Sequence, residues 1–395
     1  MRALVCLLAA AFTWNTALGM SHLIVPLYAA HLGFSAVSIG TLFGIPVIMQ
    51  IVLSLIGGAT TDRWGGRRTL AAAAAFITTG AVVLYFSHTY TAMFSAQLCL
   101  IFGRGIYWPA SETITSQLPG RRNIQFGRLN ATVNVGQIGG TAGAGLLLAA
   151  SNFQVVFLTL AVFGVVALIS ALSLLQVKSA ERTHSVAMFG NLAPVLRNRR
   201  VYLGLFCAFV VAQPMSICQS FYPLLLKSLA FNEAQIGPLL ALRPVGTALA
   251  MLFLARAVGS SNAFTLALVL SGAVAGGLFA APMFAELFPA ALIVFALGMG
   301  SALLMLYYQM LCTDATDPSM RGTALAFAGA GWSLSHLCAP MLMGFIIEWR
   351  DIATAFSIWG FVLLGLLVAL ALIKQWAFAV PAPTYGKPGG NGEHK

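Results

Sequence analysis

Apolar residues run through this chain in long blocks, and polar residues gather at the joins between them. Stretches of about 20 residues almost free of charge recur from end to end, each able to cross a hydrocarbon layer roughly 30 Å thick as a helix. The pattern predicts twelve spans, at 4–29, 37–57, 69–87, 92–116, 127–149, 154–177, 202–226, 235–257, 263–283, 287–311, 323–347 and 354–374. The joins are short except for 178–201, KSAERTHSVAMFGNLAPVLRNRRV, a long basic and polar segment that reads as a central loop. It separates one six-helix bundle, 1–177, from a second, 202–374. Residues 375–395, ending PAPTYGKPGGNGEHK, are rich in Pro and Gly and read as a disordered tail. The expected fold class is an all-α polytopic membrane protein.

Composition removes the alternatives. The chain is 59% hydrophobic and 8% charged, whereas soluble domains run at about 45–50% apolar and about 25% charged. The opening MRALVCLLAAAFTWNTALGM resembles a secretory signal, but its apolar character continues through Leu23–Tyr28, so it is read as the first span. Six scattered cysteines form no CxxC or Cys/His cluster, which leaves no metal site, disulfide frame or cofactor to expect.

The net charge of +11 follows topology and does not suggest nucleic acid. In the first half every Lys and Arg from Arg2 through Arg200 except Arg104 falls at ends or loops on one side, and the loops at 30–36, 88–91 and 150–153 have none. The positive-inside rule makes the basic side cytoplasmic, with both termini inside. Lys227 and Arg350 are exceptions, on the outer side of the second half.

The halves also repeat. PLYAAHLGFSAVSIGTL (26–42) and PLLLKSLAFNEAQIGPL (223–239) share Pro, Leu, Leu, Phe, Ile, Gly and Leu at a constant offset of 197. Secondary transporters are often built from such repeats, with the substrate site between them near the midplane.

The densest charge lies between the second and third spans, in GATTDRWGGRR (58–68). Gly65 and Gly66 allow a tight reversal, Gly58 a close helix approach, and Arg63, Arg67 and Arg68 hold the loop to the basic side. The pattern Gly58-x-x-x-Asp62-Arg63-x-Gly65-x-Arg67-Arg68, with twelve spans and a long central loop, resembles the signature of the major facilitator superfamily. The resemblance implies a gating role for this loop, with Asp62 engaging the start of the eleventh helix near Arg321–Thr323 and stabilising the state closed to the cytoplasm. It also implies a central cavity lined by the first, fourth, seventh and tenth helices, and a monomer. The run GQIGGTAGAG (136–145) lacks GK[ST] and follows no strand, so it is no phosphate loop. It is similar to the drug-antiporter motif GxxxGPxxGG, yet has Thr141 for the Pro and Ala144 for a Gly.

Three charged residues fall well inside spans, Arg104, Glu112 and Arg243, and charge at that depth is costly enough to be functional by default. Arg104 and Arg243 have no acid at matching depth, which points to an anionic solute held by forked hydrogen bonds; pairing with helix-end carbonyls or Glu112 is the structural reading. Glu112, the lone intramembrane carboxylate, and His336 are the candidates for proton coupling. Polar and aromatic residues of the central spans, Asn15, Tyr107, Trp108, Asn134, Gln137, Gln219, Tyr307, Tyr308 and Trp332, complete a candidate pocket for an organic solute.

The expected function is secondary transport of a small organic solute by alternating access, coupled to protons, in the cytoplasmic membrane. A multidrug/proton antiporter is the second reading, and a non-transporting sensor or scaffold on the same fold the third. One Glu and dispersed His supply no catalytic constellation, so no enzyme is expected.

Overall fold

The computed structural model describes residues 2–119, 121–174, 193–254, 262–317 and 320–379. All of the regular structure among them is helical: α1 (Arg2–His31), α2 (Ala36–Gly44), α3 (Pro46–Trp64), α4 (Gly66–Phe86), α5 (Tyr90–Gln117), α6 (Arg122–Ala150), α7 (Phe153–Leu172), α8 (Ala193–Arg197), α9 (Arg199–Ser220), α10 (Tyr222–Ser228), α11 (Glu233–Leu254), α12 (Ala263–Ala280), a short 3₁₀ turn, α13 (Leu287–Asp314), α14 (Arg321–Trp349) and α15 (Ile352–Phe378). Two spans are broken rods. The second bends between α2 and α3 at Pro46, which has no N–H to continue the ladder, and the seventh between α9 and α10 at Phe221, just before Pro223. Among the described residues, eleven helices are long and apolar enough to cross a membrane. The remaining rod of that length, α5, carries both Arg104 and Glu112.

Helix ends follow local chemistry. Ser35, Thr89, Asn152, Asn198 and Asp351 cap the helices that follow them through their side-chain oxygens. Gly65, at φ 82°, turns α3 into α4, and Arg67 donates to the carbonyl of Leu172 at the last turn of α7. Three predicted boundaries need correction. The sixth span stops at Leu172, not at 177. The second bundle begins at Arg199, inside the predicted loop, and α15 runs to Phe378, through the first residues of the predicted tail. The guanidiniums of Arg199 and Arg200 lie over Trp376 and Phe378, and these cation–π contacts hold both helix ends in register. The side chains of Asp62, Arg63 and Arg122, with residues 178–192 and 380–395, lie outside the described residues, so the engagement expected of Asp62 does too.

The antiparallel rods give the bundle two faces, a basic face with the start of α1 and the end of α15 and a far face with the 30–36 and 150–153 loops. The two exceptional cations of the far face are locally answered: Lys227 pairs with Glu233, and Arg350 lies over Trp349. The two bundles, α1–α7 and α9–α15, meet chiefly through α6 with α11 and α2 with α14. Gly40 and Gly237 occupy equivalent places in the repeat, and each makes one of these crossings. A Cβ on Gly40 would strike the carbonyl of Pro340, and one on Gly237 would strike Gly145 and the carbonyl of Thr141. Beside the first crossing the backbone N–H of Val37 donates to Glu348 Oε2 at 3.1 Å. These contacts lie toward the far face. At Gly127, Gly322 and Gly329, near the basic ends of α6 and α14, a Cβ would meet nothing within 4 Å. Among the described residues, the glycine crossings that join the halves lie toward the far face.

Candidate functional site

A two-lobed cavity lies between the halves. The first lobe, about 40 Å³, is walled by α1, α2, α3, α5, α9 and α14, and its polar lining is Ser21, His22, Gln97, Arg104, Ser216, Gln219 and His336. The second, about 20 Å³, is walled by α1, α6, α9 and α11, and its polar lining is His22, Gln137, Thr141, Cys218, Gln219 and Arg243. A buried water needs roughly 10–15 Å³ by this kind of measure, so in this arrangement the first lobe has room for about three waters, the second for about one, and neither for an organic molecule.

Helical spacing builds the lining. Gln97, Leu100, Ile101 and Arg104 follow the three-and-four rhythm of one face of α5, as Leu240, Arg243 and Pro244 do on α11. Each arginine is aimed by glycine. Gly103 packs on the carbonyl of Ala73 and Gly105 on Leu53, so both neighbours of Arg104 are pressed against other helices. On α11 the backbone of Arg243 lies so close to Gly298 of α13 that a Cβ there would collide with its carbonyl, and Thr247 Oγ1 contacts both carbonyls at 3.1 Å.

No carboxylate among the described residues lines either lobe. Among the described residues, neither Arg104 nor Arg243 has an ion-pair or hydrogen-bond partner for its side chain, and both are half-buried. His22 lies within electrostatic reach of Arg104, Arg243 and His336. On the C-terminal side of the cavity, Ser216 Oγ, Gln219 Nε2 and His336 Nε2 are buried without a protein partner, as are Gln213 Oε1 and Ser335 Oγ beside them.

The other sequence-selected residues divide. Gln137 lines the second lobe and donates to Asn15 Oδ1 at 3.3 Å, and Asn15 in turn donates to the Tyr107 hydroxyl at 3.0 Å. Tyr107 is buried, stacked on Trp14 with ring centroids 3.9 Å apart, and Trp108 packs edge-on against it. Trp332 stacks on His336, whose Nδ1 faces the Trp332 carbonyl at 3.0 Å. Asn134 is bonded to the carbonyl of Asn130 one turn back. Tyr307 packs on Phe264, Tyr308 is core, and α13 contributes no lining residue to either lobe. Glu112 is exposed, two turns beyond Arg104 toward the basic face and outside both lobes. No sequence pattern marks Gln97, Ser216 or Ser335, and none within its own span places His22 in the cavity. A usable signal existed for His22: it stands 197 residues before Gln219, the offset of the internal repeat, and these two residues line both lobes.

The sequence matches the family model of the Major Facilitator Superfamily over residues 3–215 and again over 204–394. No curated protein matches it. Among solved structures, a mutant of the nucleoside transporter NupG superposes with a TM-score of 0.79 at 14% identity, covering 94% of this chain and 99% of that one. A second NupG structure gives 0.74 at 16% identity, covering 95% and 100%. A bacterial homologue of the human lysosomal transporter Spinster, inward-facing and unoccupied, also gives 0.74 at 16%, covering 95% and 96%.

Proposed function

The chain belongs to the major facilitator superfamily of membrane transporters, and on that premise we propose that it carries a small organic anion across the cytoplasmic membrane by alternating access. One observation carries the reading: two guanidiniums, one from each half, line a central cavity and, among the described residues, have no carboxylate on its walls and no protein partner of their own. A cation held at that depth is stable only beside a counter-charge or water, so a bound carboxylate or phosphate supplies what the fold withholds. A neutral solute such as a nucleoside, the cargo named for NupG, would leave both charges unanswered. The aromatic pair Trp14–Tyr107 is buried and lines neither lobe, so it offers no ring face to a base there.

With the basic face cytoplasmic by the positive-inside rule, the far-face crossings close the outer side, and substrate enters or leaves once the halves rock about them. Coupling to protons falls to the imidazoles. A bound anion and a proton on His22 or His336 attract one another, and linkage makes the effect reciprocal, which suits co-transport of anion and proton. Glu112 stands outside the lobes and has no such coupling to a bound solute.

Thermal stabilisation of the purified protein against small organic anions, cations and neutral compounds tests the reading, because a ligand of the folded state raises apparent stability as ln(1 + [L]/Kd). Anions alone are expected to stabilise, and Arg104→Gln and Arg243→Gln to reduce the effect at least tenfold in Kd. Stabilisation by lipophilic cations instead would replace this reading with multidrug export. Counterflow in proteoliposomes separates a transporter from a sensor: a binding protein that moves no solute would leave the anion site and remove the transport.

A further inference from the structure

We infer that the substrate carries two acidic groups, one for each lobe, so that the cavity is a site for a small dianion. The inference rests on the anion reading above and adds a count of charges.

The two lobes are related by the internal repeat. The first is formed by α1, α2–α3 and α5 of the N-terminal half with α9 and α14 of the other; the second by α1 and α6 with α9 and α11. Exchanging each span for its partner in the opposite half turns one set into the other, except that α5 has no counterpart in the second lobe. The wall between them is His22 of α1 and Gln219 of α9, residues equivalent in the repeat and shared by both lobes. Each lobe therefore has its own wall, one arginine and, in the first lobe, unpartnered polar atoms of Ser216, Gln219 and His336.

The arginines do not occupy equivalent positions, since Arg104 is on α5 and Arg243 on α11. Each lobe has its cation at a position the repeat does not duplicate. The two like charges act on one another across the shared wall, and no acid stands between them. A monoanion in one lobe answers one guanidinium and leaves the other with only its neighbour's repulsion. A dianion with its acids at opposite ends answers both. Two separate monoanions would do so too, but they would repel across the wall and lose association entropy twice, whereas linked groups lose it once.

The test compares α,ω-dicarboxylates (succinate, glutarate, adipate) with butyrate, valerate and hexanoate by thermal shift and titration calorimetry on the full chain. At least one dicarboxylate is expected to bind tenfold or more tighter than the monocarboxylate of equal length, at one per protein. Arg104→Gln and Arg243→Gln should each erase that preference, bringing the dicarboxylate to the monocarboxylate's affinity. Arg243→Lys, which keeps the charge, should retain most of it, a result that a folding defect would not give. Equal affinity for both series, or two monocarboxylates bound per protein, overturns the dianion while leaving the anion reading intact. Binding of neutral or cationic solutes with neither series bound overturns the anion reading itself.

Discussion

The two walls of the cavity handle polarity in opposite ways. On the N-terminal side the uncharged groups around Asn15 are paired: Gln137 donates to Asn15 and Asn15 to Tyr107, while Trp14 Nε1 and Thr141 donate separately to the carbonyls of Ala73 and Gly19. That leaves the Arg104 guanidinium unpaired on that side among the described residues. On the C-terminal side five buried polar atoms, of Gln213, Ser216, Gln219, Ser335 and His336, have no protein partner. An unpaired buried polar group costs about 1–3 kcal/mol, so a wall with three of them, on Ser216, Gln219 and His336, and two more behind it is sustained by something other than its own stability. The difference teaches how to sort polar residues in a helical bundle. Paired ones hold the fold, and unpaired ones around a cavity wait for a solute.

The largest effect expected from this contrast is on the paired wall. Trp14 is fully buried, stacked on Tyr107 and bonded to the carbonyl of Ala73 at 3.4 Å. Trp14→Ala should cost about 3–5 kcal/mol in reversible unfolding in detergent. The fraction that folds should bind solute with near-native affinity. A stable variant that has lost binding would move Trp14 from the fold to the site and break the comparison.

Much of this fold was readable in the residues alone. Apolar blocks of membrane length, the basic central segment and the repeat at 26–42 and 223–239 specify twelve rods in two halves, because a bilayer leaves the backbone little choice. Arg104 and Arg243 stood out because charge at depth is rare. The roles of Asn15, Tyr107 and Ser216 were not readable. An uncharged polar residue in an apolar run has the same local pattern whether its side chain meets a partner or a cavity. Only helix rotation and the fit of one half on the other decide. For Asn15 that fit brings Tyr107 and Gln137 within bonding distance, and for Ser216 it brings nothing.

An intermediate effect sets Asn15 against Gln219, two buried amides on facing helices. Asn15→Ala leaves the Tyr107 hydroxyl and the Gln137 amide without a partner, at about 1–3 kcal/mol of stability, with solute affinity held within a few-fold. Gln219→Leu removes an amide nitrogen that has no partner, so stability should be unchanged or higher. Affinity should fall about tenfold, since a hydrogen bond to a charged group is worth about 1.5–3 kcal/mol. Unfolding midpoints and calorimetric Kd values for the two variants check the crossing of effects. If both lose stability and keep affinity, the C-terminal wall is structural as well.

The smallest effect sharpens the contrast most, because it concerns a single hydroxyl. Serine and threonine in these helices bond back to the carbonyl three or four residues earlier, as Thr13, Thr16, Ser21, Thr115, Ser220 and Ser301 do at 2.7–2.8 Å or 2.9 Å for Ser220. That local bond is the ordinary refuge of a hydroxyl in an apolar span. Ser335 is fully buried one residue before His336 and lacks even that bond. Ser335→Ala should therefore leave the unfolding free energy within about 0.5 kcal/mol of native or raise it, since an unsatisfied group is removed and no partner is orphaned. The control, Thr115→Ala, takes away a made bond of 2.7 Å and should cost about 0.5–1.5 kcal/mol. A loss at Ser335 as large as that at Thr115 would mean the hydroxyl is paired in the working protein. The five atoms would then be a network closed in another arrangement of the halves, and the C-terminal wall would match its partner.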